Sequence, residues 1–83
     1  VQVTVFTTPN CVQCSQTKKV LDREKIRYDV VDLTLHPESM EMVKALGYTA
    51  APVVVAGGRH WSGFRMDELN NLSKRIHADE AKK

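Results

Sequence analysis

The chain has 83 residues, 42% of them apolar and 27% charged, with 12 basic side chains against 10 acidic ones and a formal net charge of +2. This is the composition of one ordinary globular domain with no length to spare for a second, and a domain this small buries only about 60–65% of the surface its unfolded chain exposes. The charges are dispersed, with no basic run beyond Lys18-Lys19 and Lys82-Lys83, so neither a nucleic-acid footprint nor a membrane-surface patch is indicated.

The first segment, "VQVTVF", alternates from Val1 through Val3 and Val5, which is the period of a strand, and Pro9-Asn10 ends it in a turn. It has neither the basic nor the apolar region of a secretory leader, so the expected setting is the cytoplasm. From about Cys11 to Lys25 the period becomes helical: Thr17, Val20, Leu21 and Glu24 share one face, and Lys18, Lys19, Asp22, Arg23 and Lys25 take the solvent side. "RYDVVDL" (Arg27 to Leu33) is rich in strand formers and completes a βαβ unit with two parallel strands.

Pro37 suits the first position of a second helix, with Met40, Val43 and Leu46 on its inner face and Gly47 as its stop. Val53 to Ala56 and Arg59 to Ser62 read as a hairpin joined by Gly57-Gly58, a pair in which both residues can take positive φ. The longest apolar run, Ala50 to Ala56, contains a proline and falls far short of the roughly 18 residues a membrane-spanning helix needs. A last helix, about Met66 to His77, would bury Leu69, Leu72 and Ile76, leaving one domain over 1–78 and a polar, frayed tail over 79–83. The order βαβ, α, ββ, α predicts an α/β fold: a four-stranded mixed sheet with helices on both faces.

Both cysteines fall in "CVQC", Cys11 to Cys14. A zinc site wants about four ligands, and beyond this pair the chain offers only His36, His60 and His77, none at paired spacing. As a structural staple the pair would close a loop of about four residues, worth about 2 kcal/mol in the chain-entropy model against about 3 for a fifteen-residue loop. Two inert buried thiols fit poorly with a strand-to-helix loop, where groups are presented rather than hidden. The remaining reading is a dithiol that cycles to a disulfide, and the C-x-x-C spacing gains weight from following a strand and opening the helix of a βαβ unit.

Asn10 with Gln13 resembles a capping box, although Cys11 itself could equally be the N-cap. Either way the Cys11 sulfur sits in the first turn, where unpaired amides and the positive helix end favour thiolate over thiol. A fall in pKa from about 8.5 to about 7 raises the thiolate fraction roughly fifteen-fold and lowers intrinsic nucleophilicity about five-fold, a net gain of only about three-fold. Access, pairing geometry and leaving-group quality must supply the rest. Cys11 is then the attacking thiol, and Cys14, a turn deeper, the resolving one.

Along nearly its whole length the chain resembles the thioredoxin-fold superfamily and, within it, the glutaredoxin-like NrdH-redoxins. The matching stretches are "CVQC", "ALGYTAAPVVV" (Ala45 to Val55) and "HWSGFR" (His60 to Arg65). The resemblance implies a thioredoxin/glutaredoxin-like fold and a monomeric dithiol protein that binds no cofactor beyond its own Cys11–Cys14 disulfide. It further implies reduction by thioredoxin reductase at the expense of NADPH, and delivery of electrons to the large subunit of class Ib ribonucleotide reductase. It also implies a cis Ala51–Pro52 bond beside the dithiol, with the Ala51 backbone pairing with the incoming substrate. Sequence alone equally permits an ordinary trans proline opening an edge strand.

Trp61, Ser62, Gly63, Phe64 and Arg65 form the second candidate partner surface. By residue type alone Trp61 is as readily a core aromatic, Phe64 a plug at the start of the last helix, and Tyr48 a packing residue beside the dithiol. Glutathione-using glutaredoxins resemble this region but carry a glycine pair followed by two acidic residues. Here Asp67-Glu68 keep the acids while Phe64-Arg65 replace the glycines, which should obstruct glutathione. The chain departs from the NrdH-redoxin pattern at Met66, where proline is common, and at Thr8, where a basic residue is common. Lys18 and Lys19 read as a solvated face rather than a substitute for that cation. The alternatives carried forward are a glutathione-dependent glutaredoxin and a metal or iron–sulfur carrier using Cys11 with an external thiol.

Overall fold

The computed structural model describes residues 2–81, with side chains as far as residue 78; Val1 and Lys82-Lys83 lie outside the described residues. The elements are β1 (Val3–Thr7), α1 (Val12–Arg23), β2 (Asp29–Asp32), α2 (Pro37–Ala45), β3 (Val53–Ala56), β4 (Arg59–Ser62) and α3 (Met66–Ala81). They build one four-stranded sheet in the order β2-β1-β3-β4. β1 pairs in parallel with β2, Val5 opposite Val30, and antiparallel with β3, Val5 opposite Val54. β4 returns antiparallel on β3 with Trp61 opposite Val54. This is the mixed sheet with three helices that the element order predicts.

The strand period decides which residues face which helices. Val3, Val5, Val54, Ala56 and Trp61 point to one face and pack with Val20 and Leu21 of α1 and Leu69 and Leu72 of α3. Phe6 and Val53 point the other way and pack with Leu33 and Val43 under α2. The core is therefore two layers on a shared sheet, the thicker one beneath α1 and α3.

α1 and α2 end by the same device. In α2, Gly47 takes φ 93°, its N–H donates to the Lys44 carbonyl at 2.9 Å, and the Tyr48 N–H reaches back to Val43 at 3.2 Å. In α1 the left-handed residue is Lys25, at φ 59°, with its N–H on Asp22 at 3.1 Å and the Ile26 N–H on Leu21 at 2.9 Å. Both are Schellman closures, each with an apolar contact spanning the turn: Tyr48 on Val43 and Ile26 on Leu21. Without a glycine to mark it, the end of α1 falls two residues earlier than the apolar spacing predicts.

The hairpin turns at Gly57-Gly58, with Gly57 at φ 62°. Two further expectations are corrected. Leu46 caps α2 and is 37% exposed rather than on its inner face, because Tyr48 makes the closing contact. α3 continues past His77 to Ala81, since Ala78, Glu80 and Ala81 favour helix and no breaker intervenes.

α3 is clasped to the end of α1. The buried Ser73 hydroxyl donates to Glu24 Oε1 at 2.9 Å, and His77 Nε2 lies 2.8 Å from the Glu24 carbonyl oxygen. The Ser73 bond, ahead of the opposing effect of burial, holds the Glu24 carboxyl below its ordinary value of 4.5. A lowered carboxyl pKa contributes stability above the unfolded value and loses it as pH falls through the folded one. Ser73→Ala should lower the thermal midpoint by a few degrees at pH 7, with the deficit shrinking at pH 3. Thermal unfolding followed by circular dichroism at both pH values checks this; equal deficits would assign the effect to packing instead.

Candidate active site

β1 delivers the chain to the dithiol through the turn Thr8-Pro9-Asn10. Asn10 sits at φ 60°, a left-handed conformation that asparagine tolerates better than most residues, so it turns the chain rather than capping the helix. The N-cap is Cys11, extended at φ −99° and ψ 107°, and its Sγ accepts the Cys14 N–H at 3.1 Å. Gln13 makes no capping-box bond back to the turn; its side chain goes elsewhere. Cys11 and Cys14 are joined as a disulfide with their Cα atoms 5.2 Å apart.

The two sulfurs differ in access: Cys11 is partly exposed, whereas Cys14 is 2% exposed. One turn further, the fully buried Thr17 donates its hydroxyl to the Gln13 carbonyl at 2.9 Å, fixing the first turn of α1 from below. Val12, between the sulfurs in sequence, is 72% exposed and places an apolar side chain directly beside the accessible thiol. An isolated valine at the start of a helix carries no sequence signal of which way it faces.

A groove of about 630 Å³ runs beside the disulfide, bounded by Thr8, Cys11, Cys14, Lys18 and Asp32. Lys18 is thus not part of a purely solvated face: it lies four residues after Cys14, hence on the same side of α1, and is half-buried along the groove. Lys19 is exposed. Across the groove the Thr34 hydroxyl and N–H donate to Asp32 Oδ1 at 2.6 and 2.8 Å, which holds that carboxyl below the usual carboxylate range. A larger hollow of about 950 Å³ between Gln2, Asp22, Ile26, Tyr28 and Asp29 has no cysteine on its walls.

The Ala51–Pro52 bond is cis, and Pro52 is fully buried. Three side-chain or backbone bonds from the β4 end brace this loop. Ser62 Oγ donates to the Ala50 carbonyl at 3.1 Å, the Gly63 N–H to the Pro52 carbonyl at 2.8 Å, and the Tyr48 hydroxyl sits 2.7 Å from His60 Nδ1 with the rings edge to face. Gly63 takes φ 85°. The next residue closes the circuit to the dithiol helix: the Phe64 N–H donates to Gln13 Oε1 at 3.2 Å, a bond between residues 51 apart. No local pattern in the sequence announces it.

Trp61 does not join this surface. It is 4% exposed, because strand alternation points it with Val54 into the layer beneath α1 and α3, and its indole N–H is buried without a partner. Phe64 is half-buried against the same layer. Arg65 is exposed and forks onto Asp67, Nε to Oδ1 at 3.2 Å and Nη2 to Oδ2 at 3.0 Å, which holds the Asp67 carboxyl low and raises the guanidinium. Glu68 is paired with Arg59 at 3.2 Å. Each carboxylate of the acidic pair therefore already has an arginine from its own chain.

Each histidine is also engaged. His36 faces Glu38 at 3.5 Å, His60 faces Tyr48, and His77 faces the Glu24 carbonyl. Among the described residues no group of three or more His, Cys, Asp and Glu side chains is placed to hold a metal ion, and no helix is long and apolar enough to cross a membrane.

The glutaredoxin family model matches residues 3–61. The chain is 38% identical over 79 residues to the glutaredoxin-like protein NrdH of Salmonella typhimurium, covering 95% of this chain and 98% of that one. It is 39% identical over 71 residues to the protein of the same name from Lactococcus lactis strain IL1403, covering 86% of this chain and 99% of that one. The solved structure of the NrdH-redoxin from Escherichia coli, described as glutaredoxin-like with a thioredoxin-like activity profile, superposes with a TM-score of 0.84 at 36% identity, covering 87% of this chain and 95% of that one. The architecture is the thioredoxin-like fold of that structure.

Replacing Gly63 would force an L side chain into the left-handed region in the loop that touches both Pro52 and Gln13. Gly63→Ala should cost about 1–2 kcal/mol, while Gly58→Ala, whose Cβ would meet nothing within 4 Å, should be close to neutral. Urea unfolding midpoints of the two variants check the contrast.

Proposed function

The chain belongs to the glutaredoxin family of thiol–disulfide oxidoreductases, and from that membership we propose that it is a dithiol electron carrier of the NrdH-redoxin type. In this reading it is reduced in the cytoplasm by thioredoxin reductase with NADPH, acts as a monomer without a bound cofactor, and passes electrons to the large subunit of class Ib ribonucleotide reductase. The observation that carries it is the pairing of an accessible sulfur at a helix N-cap with a buried one beneath it.

In the reduced protein the Cys11 thiolate attacks one sulfur of the partner's disulfide. A bond forms between Cys11 Sγ and that sulfur, and the partner's other sulfur leaves as thiolate and takes a proton. Cys14, having lost its proton, then attacks Cys11 Sγ; the Cys11–Cys14 bond forms, the mixed disulfide breaks, and the partner's second sulfur leaves. Two electrons and two protons pass to the partner, and thioredoxin reductase reverses the sequence using NADPH. The Cys14 N–H stabilises charge on Cys11 Sγ both when it attacks and when it departs, so it serves both directions.

Exposed Val12 and Arg65 and half-buried Phe64, with the main chain of Ala51 and cis-Pro52, supply the surface a partner would meet. Among the described residues nothing bonds the Ala51 N–H or carbonyl, which leaves that backbone for an extended partner segment. The glutathione-dependent alternative needs free carboxylates for the peptide's amine, and both Asp67 and Glu68 are held by arginines.

NADPH oxidation should proceed with thioredoxin reductase and a protein disulfide, and be at least about ten-fold slower with glutathione and glutathione reductase, the margin set by the loss of one charge-assisted contact. The opposite preference would overturn the reading. Cys14→Ser should trap a mixed disulfide on Cys11, and Cys11→Ser should trap none; mass spectrometry of the adducts decides, and an adduct on Cys14 would reverse the roles.

A further inference from the structure

Resting on the reading that Cys11 serves protein disulfides, we propose that Gln13 is a positioning residue that selects the dithiol's reaction partner by tying the loop Gly63 to Arg65 to the first turn of α1. An exposed glutamine in a dithiol spacer ordinarily stays in water, since ordering its side chain costs conformational entropy. Here its Oε1 accepts the Phe64 N–H at 3.2 Å.

Both ends of that bond are anchored. On the α1 side, the buried Thr17 hydroxyl holds the Gln13 carbonyl at 2.9 Å. On the loop side, Gly63 is bound to Pro52 at 2.8 Å and the Arg65 carbonyl accepts the Leu69 N–H at 2.9 Å, so the Phe64 peptide is fixed before and after. The loop crosses so near that a Cβ on Gly63 would lie 3.6 Å from Gln13 Oε1. One side chain thus joins the dithiol helix, the cis-proline loop through Gly63, and the start of α3.

Two consequences follow for partner choice. Phe64 and Arg65 keep one position relative to Cys11, so a protein partner meets a preformed surface and pays little to order it. The Phe64 N–H is also satisfied from within, which removes a backbone donor that a carboxylate of a small thiol peptide would otherwise use as it approached Cys11. Reduction by such a peptide begins when its thiolate attacks Cys11 Sγ: the Cys11–Cys14 bond breaks and Cys14 leaves as thiolate. A second peptide thiolate then removes the first as a peptide disulfide, two electrons passing in all.

The test compares wild type, Gln13→Ala and Gln13→Glu, the last keeping an acceptor oxygen at the same reach. For Gln13→Ala, the KM of thioredoxin reductase for the oxidised protein should rise about five-fold with kcat within about two-fold, as expected for loss of one hydrogen bond that organises binding. The rate of disulfide reduction by glutathione should rise by a similar factor, and the Phe64 amide should exchange faster with solvent. Gln13→Glu should restore the wild-type value of each. Unchanged KM, glutathione rate and amide exchange in Gln13→Ala, or failure of Gln13→Glu to restore them, overturns the proposal. If thioredoxin reductase does not turn over even the wild type, the functional reading falls, and the glutathione rate with the Phe64 exchange decides the role of Gln13.

Discussion

α1 is capped by a sulfur atom. Where a serine or aspartate would ordinarily satisfy the first free amides of a helix, Cys11 Sγ takes the Cys14 N–H, so the group that closes the helix is also the group that reacts. The bond is electrostatic in favour of negative charge on sulfur, as is the helix end behind it. Losing that charge to a partner and regaining it are thus built into the same cap. The rest of the fold serves to keep this turn of backbone rigid and one sulfur uncovered.

Rigidity comes from below and from the side. Val20 and Leu21 put α1 onto the sheet layer containing Val5, Val54 and Trp61, Cys14 and Thr17 are buried along the same helix, and α3 closes the layer with Leu69 and Leu72. The cis-proline loop and the Gly63 turn are held to each other by backbone and by Ser62, and to α1 by Gln13. Charge is settled locally as well: Asp67 and Glu68 at the start of α3 are each matched by an arginine of the same chain.

The sequence carried a good deal of this because its signals are periodic or punctuated. Alternating valines marked β1, an apolar run ending in a glycine pair marked β3 and its hairpin, and C-x-x-C after a strand marked the dithiol. What stayed hidden was non-local or unpunctuated. Lys25 ends α1 in a left-handed turn with no glycine to warn of it, closed by the backbone bonds of Lys25 to Asp22 and Ile26 to Leu21. Leu46 looked like a third inner residue of α2 until Tyr48 took the closing contact. Trp61 could not be assigned to core or surface without knowing which face of β4 points at α1 and α3. The bond from Gln13 to Phe64 and the groove wall formed by Lys18 and Asp32 exist only once the sheet brings distant segments together.

The most direct test of the cap's chemical effect is the pH dependence of alkylation of the fully reduced protein, read at each cysteine by mass spectrometry. The account predicts that Cys11 is modified first, with a midpoint clearly below the value of about 8.5 for an unperturbed thiol, and that Cys14 stays unmodified until the protein unfolds. A Cys11 midpoint at or above that of a free thiol, or earlier modification of Cys14, would contradict it.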